Sequence, residues 1–171
     1  LRTIIKKIIL FPLIVISYIA DFYSMLISFI KPSLGYFWLD RLAEKNKNLT
    51  QEVTHKLTNG DELKLKLYTP NWRCRYGVES FSQKEPETLK WIDEYGGDGV
   101  LFDIGANVGL YSLYYAAVKK SKVYAFEPSV FNLALLAKNI SINNFSHLIQ
   151  IITNPISKEN KFADFSLSML E

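Results

Sequence analysis

The sequence is poor in the residues that build disulfide frameworks and metal clusters. Its 171 residues include one cysteine, Cys74, and two histidines, His55 and His147. A single cysteine excludes an intramolecular disulfide and a cysteine-cluster metal site, and it fits a reducing compartment. The two histidines stand far apart without the spacing of metal ligands, so we expect ordinary strand or surface residues and no bound metal.

An excess of charge of one sign is also missing. The chain has 20 Lys and Arg residues against 17 Asp and Glu, a net charge of +3 that is spread along the sequence. A basic patch of the kind that binds nucleic acid is therefore not expected, nor is a nucleic-acid partner. The composition is globular, 49% hydrophobic and 22% charged, and the chain is long enough for one sizeable core.

The middle of the chain carries the pattern of a β-hairpin followed by a helix. Leucines alternate with lysines from Leu63 to Leu67, and Asn59-Gly60 fits a type I′ turn, so residues 52–69 are predicted to form an antiparallel hairpin. Residues 69–83 are predicted to form a polar, aromatic loop. A helix should then begin at Pro86, because proline suits the first helical position.

From Val100 onward, apolar strands alternate with helices. Strands are predicted near residues 100–104, 122–128 and 148–153, with helices between them. This β-α-β-α-β order is typical of a parallel sheet with right-handed crossovers. The predicted fold class is therefore α/β.

The first of these strands runs into a glycine turn that indicates a ligand site. Gly105 and Gly109 leave room for a ligand beside the backbone, and unpaired N–H groups point outward at the start of the following helix. Glu127 ends the next strand, 22 residues after Gly105. From that position an acidic residue can bind both hydroxyls of a ribose. The turn therefore predicts a nucleoside-bearing cofactor.

Two residues in and before the turn indicate which cofactor. Asn107 stands where the dinucleotide fingerprint has its second glycine, so it blocks the approach of a pyrophosphate and can bond to a polar, non-phosphorylated ligand. The carboxylate of Asp103 would repel a pyrophosphate and attract a sulfonium or α-ammonium group. Both residues favour S-adenosylmethionine over NAD or FAD.

Two stretches of the chain, "FDIGANVGLYSLYYA" and "VYAFEPSVFNLALLAKNISINN", resemble the FkbM-type family of S-adenosylmethionine-dependent methyltransferases, and "EPETLKWIDEY" resembles that family's lead-in. The resemblance covers about residues 72–168. It implies a Rossmann-like class I methyltransferase sheet of seven strands. It also implies O-methylation of a hydroxyl on a sugar or other metabolite, with S-adenosylmethionine as the cofactor.

The same resemblance assigns roles to individual residues. Four of them would line the methionine part of the cofactor: Asp103, Gly105, Asn107 and Gly109. Tyr111 would pack near the turn, Glu127 would bind the ribose hydroxyls, and Glu85 could reach the methionine end. Residues 154–157 would lie near the adenine. No catalytic residue and no metal ligand is assigned.

The predicted sheet is incomplete relative to this family. We expect residues 99–171 to be the first half of the cofactor domain, preceded by an apolar helical region (1–48) and by the hairpin and lead-in helix (49–98). The strand-like end "FADFSLSMLE" suggests a fragment of a longer protein. The acceptor pocket and general base would then lie beyond Glu171, so we expect this fragment alone to be inactive and poorly soluble.

Two other functions remain open from the sequence. One is an NAD-type nucleotide-binding oxidoreductase module, which Asn107 opposes. The other is a non-catalytic, membrane-associated fragment, which the intact set of Asp103, Gly105, Gly109 and Glu127 opposes. The small-molecule or glycan acceptor and the oligomeric state are left undetermined.

One long hydrophobic run stands near the N-terminus. Residues 8–30 hold a single charge, Asp21, and are long enough to cross a membrane. That charge and Pro12 disfavour a span, and no cleavage pattern of a secretory signal precedes Asp21. The flanking basic residues weakly favour a cytoplasmic N-terminus, which for a span would separate the chain from its cytosolic cofactor. We therefore expect one or two helices packed on the domain or lying on a membrane, with the protein in the cytoplasm or at the cytoplasmic face of a membrane.

Overall fold

The computed structural model describes residues 2–95, 97 and 99–159. The chain divides into two compact units, Leu1–Asn48 and Leu49–Glu171. The first unit is helical, and the second is a mixed α/β fold. The strand suggested by "FADFSLSMLE" lies outside the described residues.

The first unit consists of three consecutive helices: α1 (Arg2–Ile30), α2 (Pro32–Gly35) and α3 (Phe37–Lys47). Gly35 brings α2 close to α1. A Cβ atom at Gly35 would lie 2.8 Å from the carbonyl oxygen of Ser24 and 2.8 Å from the Cβ atom of Ser28. Because neither neighbour could move aside without shifting α1, this packing requires a residue without a side chain.

Apolar side chains cover the outside of α1. Phe11 and Phe29 are 67% and 82% exposed. The stretch Leu10–Ile30 is long and apolar enough to cross a membrane, with a mean hydropathy of 2.0 and no buried residue in its most apolar window. The predicted helix is thus confirmed as one continuous helix, and its contact with a membrane stays a prediction.

The second unit begins with the predicted hairpin. β1 (Thr50–Lys56) pairs antiparallel with β2 (Glu62–Tyr68), and Val53 lies opposite Leu65. Both of these side chains are buried and join the main core. The hairpin is therefore confirmed as part of the core of this unit.

The turn of the hairpin differs from the predicted type I′ turn. Of Asn59 and Gly60, only Gly60 has a positive φ, 91°. The Gly60 N–H donates to the carbonyl oxygen of Leu57 at 3.0 Å, and the Asn59 side chain accepts from the N–H of Asp61 at 3.0 Å. The type I′ prediction is wrong because a longer loop satisfies its own donors with one left-handed residue instead of two.

The segment predicted as a polar loop contains two short helices, α4 (Trp72–Glu79) and α5 (Phe81–Lys84). Asn71 caps α4, because its side-chain oxygen accepts a hydrogen bond from the N–H of Cys74 at 3.0 Å. Phe81 is buried in the core. The loop prediction is wrong because a capping asparagine and a buried aromatic residue outweigh the polar composition of the segment.

A parallel sheet and three helices make up most of the remaining described residues of this unit. The strands are β3 (Leu101–Ile104), β4 (Val123–Phe126) and β5 (Ile149–Ile152), paired in the order β3-β4-β5. The helices are α6 (Pro86–Tyr95), α7 (Leu110–Lys119) and α8 (Val130–Ile142). The predicted β-α-β-α-β alternation and the start of α6 at Pro86 are confirmed.

The two faces of this sheet are covered unequally. Val123, Ala125 and Ile149 are buried in the core that the sheet shares with the hairpin, α6, α7 and α8. On the other face, Phe102 is 59% exposed and its ring stacks on Tyr124 at 5.4 Å between centroids. The described residues therefore form an α/β layer with one open face, whereas the seven-stranded methyltransferase sheet stays a prediction.

Candidate functional site

The glycine turn lies between the carboxyl end of β3 and the start of α7. Its φ angles are 83° at Gly105, 52° at Asn107 and 91° at Gly109. Three left-handed residues thus alternate with two ordinary ones. Asparagine is among the few residues other than glycine that enter this region at low cost. The left-handed backbone at position 107 is therefore enough to explain why an asparagine stands there.

The two glycines of the turn meet different surroundings. A Cβ atom at Gly109 would lie 2.5 Å from Cδ1 of Leu136, so this glycine lets α8 pack closely against the turn. At Gly105 no atom lies within 4 Å of the corresponding position. The space that a ligand could use is therefore beside Gly105, and the structure gives Gly109 a packing role.

Glu127 links the end of β4 to the glycine turn. Its side chain is only 5% exposed. Oε2 accepts a hydrogen bond from the N–H of Asn107 at 2.8 Å, and Oε1 accepts one from the N–H of Ser129 at 2.8 Å. Each carboxylate oxygen keeps a further lone pair, so Glu127 can hold the turn and still accept from a hydroxyl.

The backbone donors of the turn are largely used within the protein. The N–H groups of Gly105 and Ala106 both donate to the carbonyl oxygen of Phe126, at 2.9 and 3.0 Å, and that of Asn107 donates to Glu127. These three N–H groups are therefore not free to bind a ligand, whereas the expectation of outward N–H groups concerns the start of α7 at Leu110 and stays a prediction. A phosphate group would find few free donors here.

Asp103 lies at the carboxyl end of β3, half-buried. Its Oδ2 accepts a hydrogen bond from the hydroxyl of Ser112 at 2.5 Å. Burial raises the pKa of Asp103 above its ordinary value, against the opposing effect of the Ser112 hydrogen bond, and the negative charge of Glu127 raises it further. The two strand-end carboxylates are thus close enough to interact, and a bound cation would relieve their repulsion.

Tyr111 joins Glu85 to this cluster. Burial raises the pKa of the Tyr111 phenol, and its hydrogen bond to the Glu85 carboxylate raises that pKa further. The negative charges of Glu85, Glu87 and Asp103 act in the same direction. Glu85 stands immediately before α6, far from the turn in sequence, yet it lies against the first turn of α7. The structure therefore brings Glu85, Asp103 and Tyr111 together, and their contact with a cofactor stays a prediction.

Two asparagines, Asn139 of α8 and Asn143 at its C-terminal cap, bond to β2 and were missed by sequence reasoning; Asn139 also supports the turn. Asn139 is fully buried: its Oδ1 accepts from the N–H of Tyr68 at 2.8 Å, and its Nδ2 donates to the carbonyl oxygen of Val108 at 2.8 Å. One helical turn later, Asn143 accepts from the N–H of Lys66 at 2.9 Å and donates to its carbonyl oxygen at 2.7 Å. Asn143 thus satisfies both backbone groups of Lys66 on β2, whereas Asn139 links Tyr68 of β2 to Val108 of the turn. In the sequence, these two residues could have been noticed as two asparagines four positions apart in a mostly apolar stretch.

The remaining assigned segment, residues 154–157, follows β5 and is exposed. It starts near the cluster, because the N–H of Glu127 donates to the carbonyl oxygen of Ile152 at 3.0 Å. Its contact with an adenine ring stays a prediction. In the described part of the chain, no group of three His, Cys, Asp or Glu side chains is arranged to hold a metal ion.

A shallow groove of about 220 Å³ lies apart from the turn, lined in part by His55, Ser82 and Asp93. His55 Nδ1 lies 2.8 Å from Ser82 Oγ, and the His55 ring packs edge-on against Phe81 and Tyr114. These contacts make His55 part of the packing between the hairpin and the helices. The groove shares no lining residue with the glycine turn.

Comparisons with known proteins add little to this geometry. No protein-family model and no curated protein matches the chain. Among solved structures, a Pyrococcus horikoshii protein named "putative transferase" matches with 21% sequence identity and a TM-score of 0.42, over 61% of this chain and 36% of that one. The chain thus spans little more than a third of that protein's length. The likeness is too distant to carry an inference about chemistry, and the resemblance to the FkbM-type family stays a prediction.

Proposed function

We propose that this chain carries the cofactor-binding half of an S-adenosylmethionine-dependent methyltransferase that acts on a hydroxyl of a sugar or other metabolite. The observation that carries the proposal is the pair of carboxylates, Asp103 and Glu127, at the ends of adjacent parallel strands. The glycine turn lies between these two carboxylates, and most of its N–H groups already donate hydrogen bonds within the protein. Such a site offers negative charge and hydrogen-bond acceptors, which suit a cation with hydroxyl groups.

The residues present fit this cofactor. The open side of Gly105 leaves room for a ligand beside the backbone. Asp103 and Glu85 would favour the positive charges of the methionine part, and the free lone pairs of Glu127 would accept from the ribose hydroxyls. When bound, S-adenosylmethionine supplies a methyl group on a positively charged sulfur, which is open to attack by a nucleophile.

A dinucleotide cofactor suits the same residues poorly. A pyrophosphate needs close backbone approach and free N–H donors. Here Asn107 occupies the approach position, and the N–H groups of Gly105 and Ala106 already donate to Phe126. The carboxylates around the turn would add repulsion. These observations favour the methyltransferase proposal over an NAD-type oxidoreductase.

The proposed roles end with cofactor binding and orientation. O-methylation also needs a group that removes the proton of the acceptor hydroxyl, and an acceptor oxygen held in line with the methyl group. We assign neither function to a described residue. Because the proposed cofactor is cytosolic, we place the second unit in the cytoplasm.

Equilibrium dialysis of the full chain against S-adenosylmethionine and NADH tests the proposal. We expect retention of the first compound and not of the second. Glu127→Ala should weaken binding about 10- to 150-fold, the equivalent of about 1.5–3 kcal/mol for a hydrogen bond to a charged group. The matched control is Glu52→Ala, which removes an exposed carboxylate of β1 that pairs with Lys64 and should leave binding unchanged.

Glu127 also holds the turn, so the variant needs a second measurement. Thermal unfolding without ligand reports the structural loss, and dialysis reports the binding loss. Retention of NADH in place of S-adenosylmethionine, or equal binding by the wild type and Glu127→Ala, would overturn the proposal.

A further inference from the structure

The surface of α1 differs from that of a helix in a water-soluble core. Phe11, Ile16 and Phe29 are all strongly exposed, and the most apolar window of Leu10–Ile30 has no buried residue. A core helix of a soluble protein passes the same length and composition test, but most of it is buried. Within the first unit, Leu10–Ile30 is therefore a long apolar stretch of helix with no buried side chain among its described residues.

The serines and the one charged residue of Leu10–Ile30 lie along one narrow line. Ser17, Asp21, Ser24 and Ser28 follow one another at intervals of four, three and four residues, which places them on one face. The Ser24 and Ser28 end of this line is where Gly35 of α2 packs. Apart from the hydroxyl groups of Tyr18 and Tyr23, the remaining circumference of Leu10–Ile30 is apolar.

This distribution distinguishes between two ways of meeting a membrane. A helix that lies in the interface has a broad, strongly charged face and low overall hydrophobicity. Leu10–Ile30 has one charge and a mean hydropathy of 2.0. A helix surrounded by hydrocarbon keeps its polar residues on a seam that faces another helix. Ser24 and Ser28 have the second arrangement, because Gly35 of α2 packs on them, whereas Ser17 and Asp21 continue the same line and are exposed.

The length and ends of α1 fit the same environment. At 1.5 Å per residue, the 21 residues of Leu10–Ile30 span about 31 Å, close to the roughly 30 Å of a bilayer's hydrocarbon core. Lys6 and Lys7 precede this stretch in the sequence, and Lys31 follows it. Basic residues that flank an apolar stretch in the sequence are typical of a helix whose ends lie at the lipid headgroups.

We propose that Leu10–Ile30 of α1 is buried in the hydrocarbon core of a lipid bilayer and holds the second unit at a membrane. A span with the second unit in the cytoplasm places the N-terminus on the opposite side of the membrane, against the weak preference of Lys6 and Lys7. The occupant of the exposed apolar surface is lipid. This inference does not rest on the proposed methyltransferase function, because it uses only residues of the first unit.

Flotation of the full chain with vesicles tests the proposal. The chain is synthesised in the presence of vesicles made of equal parts phosphatidylcholine and phosphatidylglycerol, then washed with concentrated salt and with alkaline carbonate. We expect the chain to float with the vesicles after both washes. Release by salt would identify adsorption through charge, and release by carbonate would identify a peripheral helix. Either result would overturn the proposal.

Paired substitutions test whether α1 is the part of the chain that binds the vesicles. Ile16→Lys with Ile19→Lys places two charges on the apolar face of α1 and should lower the carbonate-resistant fraction at least about tenfold. Leu39→Lys with Leu42→Lys makes the same chemical change on exposed positions of α3 and should leave that fraction unchanged. Equal loss in both pairs, or in neither, would contradict a specific role of α1.

A cleaved leader is the remaining alternative, and mass distinguishes it. The chain recovered from the membranes of expressing cells should keep its full mass of 19.7 kDa. A product shortened by the length of α1 would overturn the proposal. Dialysis of the same preparation against S-adenosylmethionine tests the proposed function separately, so failure of one does not imply failure of the other.

Discussion

The two units use apolar residues in opposite ways. In the second unit, Leu65, Leu113 and Leu136 are at most 1% exposed, because the hairpin, the helices and one face of the sheet close over them. In the first unit, the apolar residues of α1 are exposed, because α2 covers only a short part of one face. Apolar composition therefore does not decide burial. Burial requires a second layer of structure that the chain itself provides.

The largest expected effect contrasts one leucine from each unit. Leu136→Ala removes a fully buried side chain, so the free energy of unfolding of the second unit should fall by about 2–5 kcal/mol, measured by urea denaturation. Leu26→Ala makes the same change on the exposed surface of α1 and should alter that free energy by less than about 0.5 kcal/mol. Comparable losses in both variants would show that α1 belongs to the same cooperative core.

Replacing either glycine of the turn should lower the free energy of unfolding by a smaller amount, and the two losses should differ. Gly109→Ala combines a left-handed φ with a Cβ atom 2.5 Å from Leu136, and we expect a loss of about 2–4 kcal/mol in unfolding free energy. Gly105→Ala carries only the cost of its φ, about 1–2 kcal/mol. Urea denaturation measures both. Similar losses would remove the distinction between a packing glycine and a ligand-side glycine.

Replacing Asn139 of α8 and Asn143 at its C-terminal cap should lower the stability of the second unit in the order of their burial. Asn139→Ala leaves the N–H of Tyr68 and the carbonyl oxygen of Val108 without their partner, and should cost about 1–3 kcal/mol. Asn143→Ala breaks more exposed bonds to Lys66 and should cost about 1 kcal/mol or less, since water can replace the lost amide. Thermal unfolding checks the order. A larger loss for Asn143→Ala would contradict the anchoring role of Asn139.

The smallest effect concerns pH. Since burial raises the folded-state pKa of Asp103, the folded protein holds this proton more tightly than the unfolded chain, whose Asp pKa is about 3.9. The resulting stabilisation is present at lower pH and is lost as the pH rises through the folded-state pKa. Because asparagine carries no titrating proton, the Asp103→Asn variant should not lose this stabilisation as the pH rises. Its stability relative to the wild type should therefore improve as pH rises from about 4, measured by denaturation across pH. A constant difference would contradict a raised pKa.

Much of the second unit could be predicted because its signals are local. The alternation of Leu63 to Leu67, the proline at the start of α6 and the apolar blocks after Val100 each lie within one element. The pairing of Asn139 with Tyr68 and of Asn143 with Lys66 could not be predicted in the same way. These residues are 71 and 77 positions apart, and no local period connects them.

The candidate site shows the same division. The strand-end positions of Asp103 and Glu127 follow from the alternation of strands and helices. The separate roles of Gly105 and Gly109 depend on where Leu136 lies, and the link between Glu85 and Tyr111 depends on how α6 meets α7. Sequence therefore predicts which residues stand at the sheet edge, whereas tertiary packing decides which of them remain available to a ligand.

Backbone amide chemical shifts, recorded while S-adenosylmethionine is added to the isotope-labelled full chain, test the central claim most directly. We expect the signals of Gly105, Asn107 and Ser129 to move, while those of β1, on the hairpin, stay in place. NADH at the same concentrations should leave all of them unchanged. Movement with NADH alone, or no movement of the turn with S-adenosylmethionine, would contradict a site in which strand-end carboxylates hold a positively charged nucleoside.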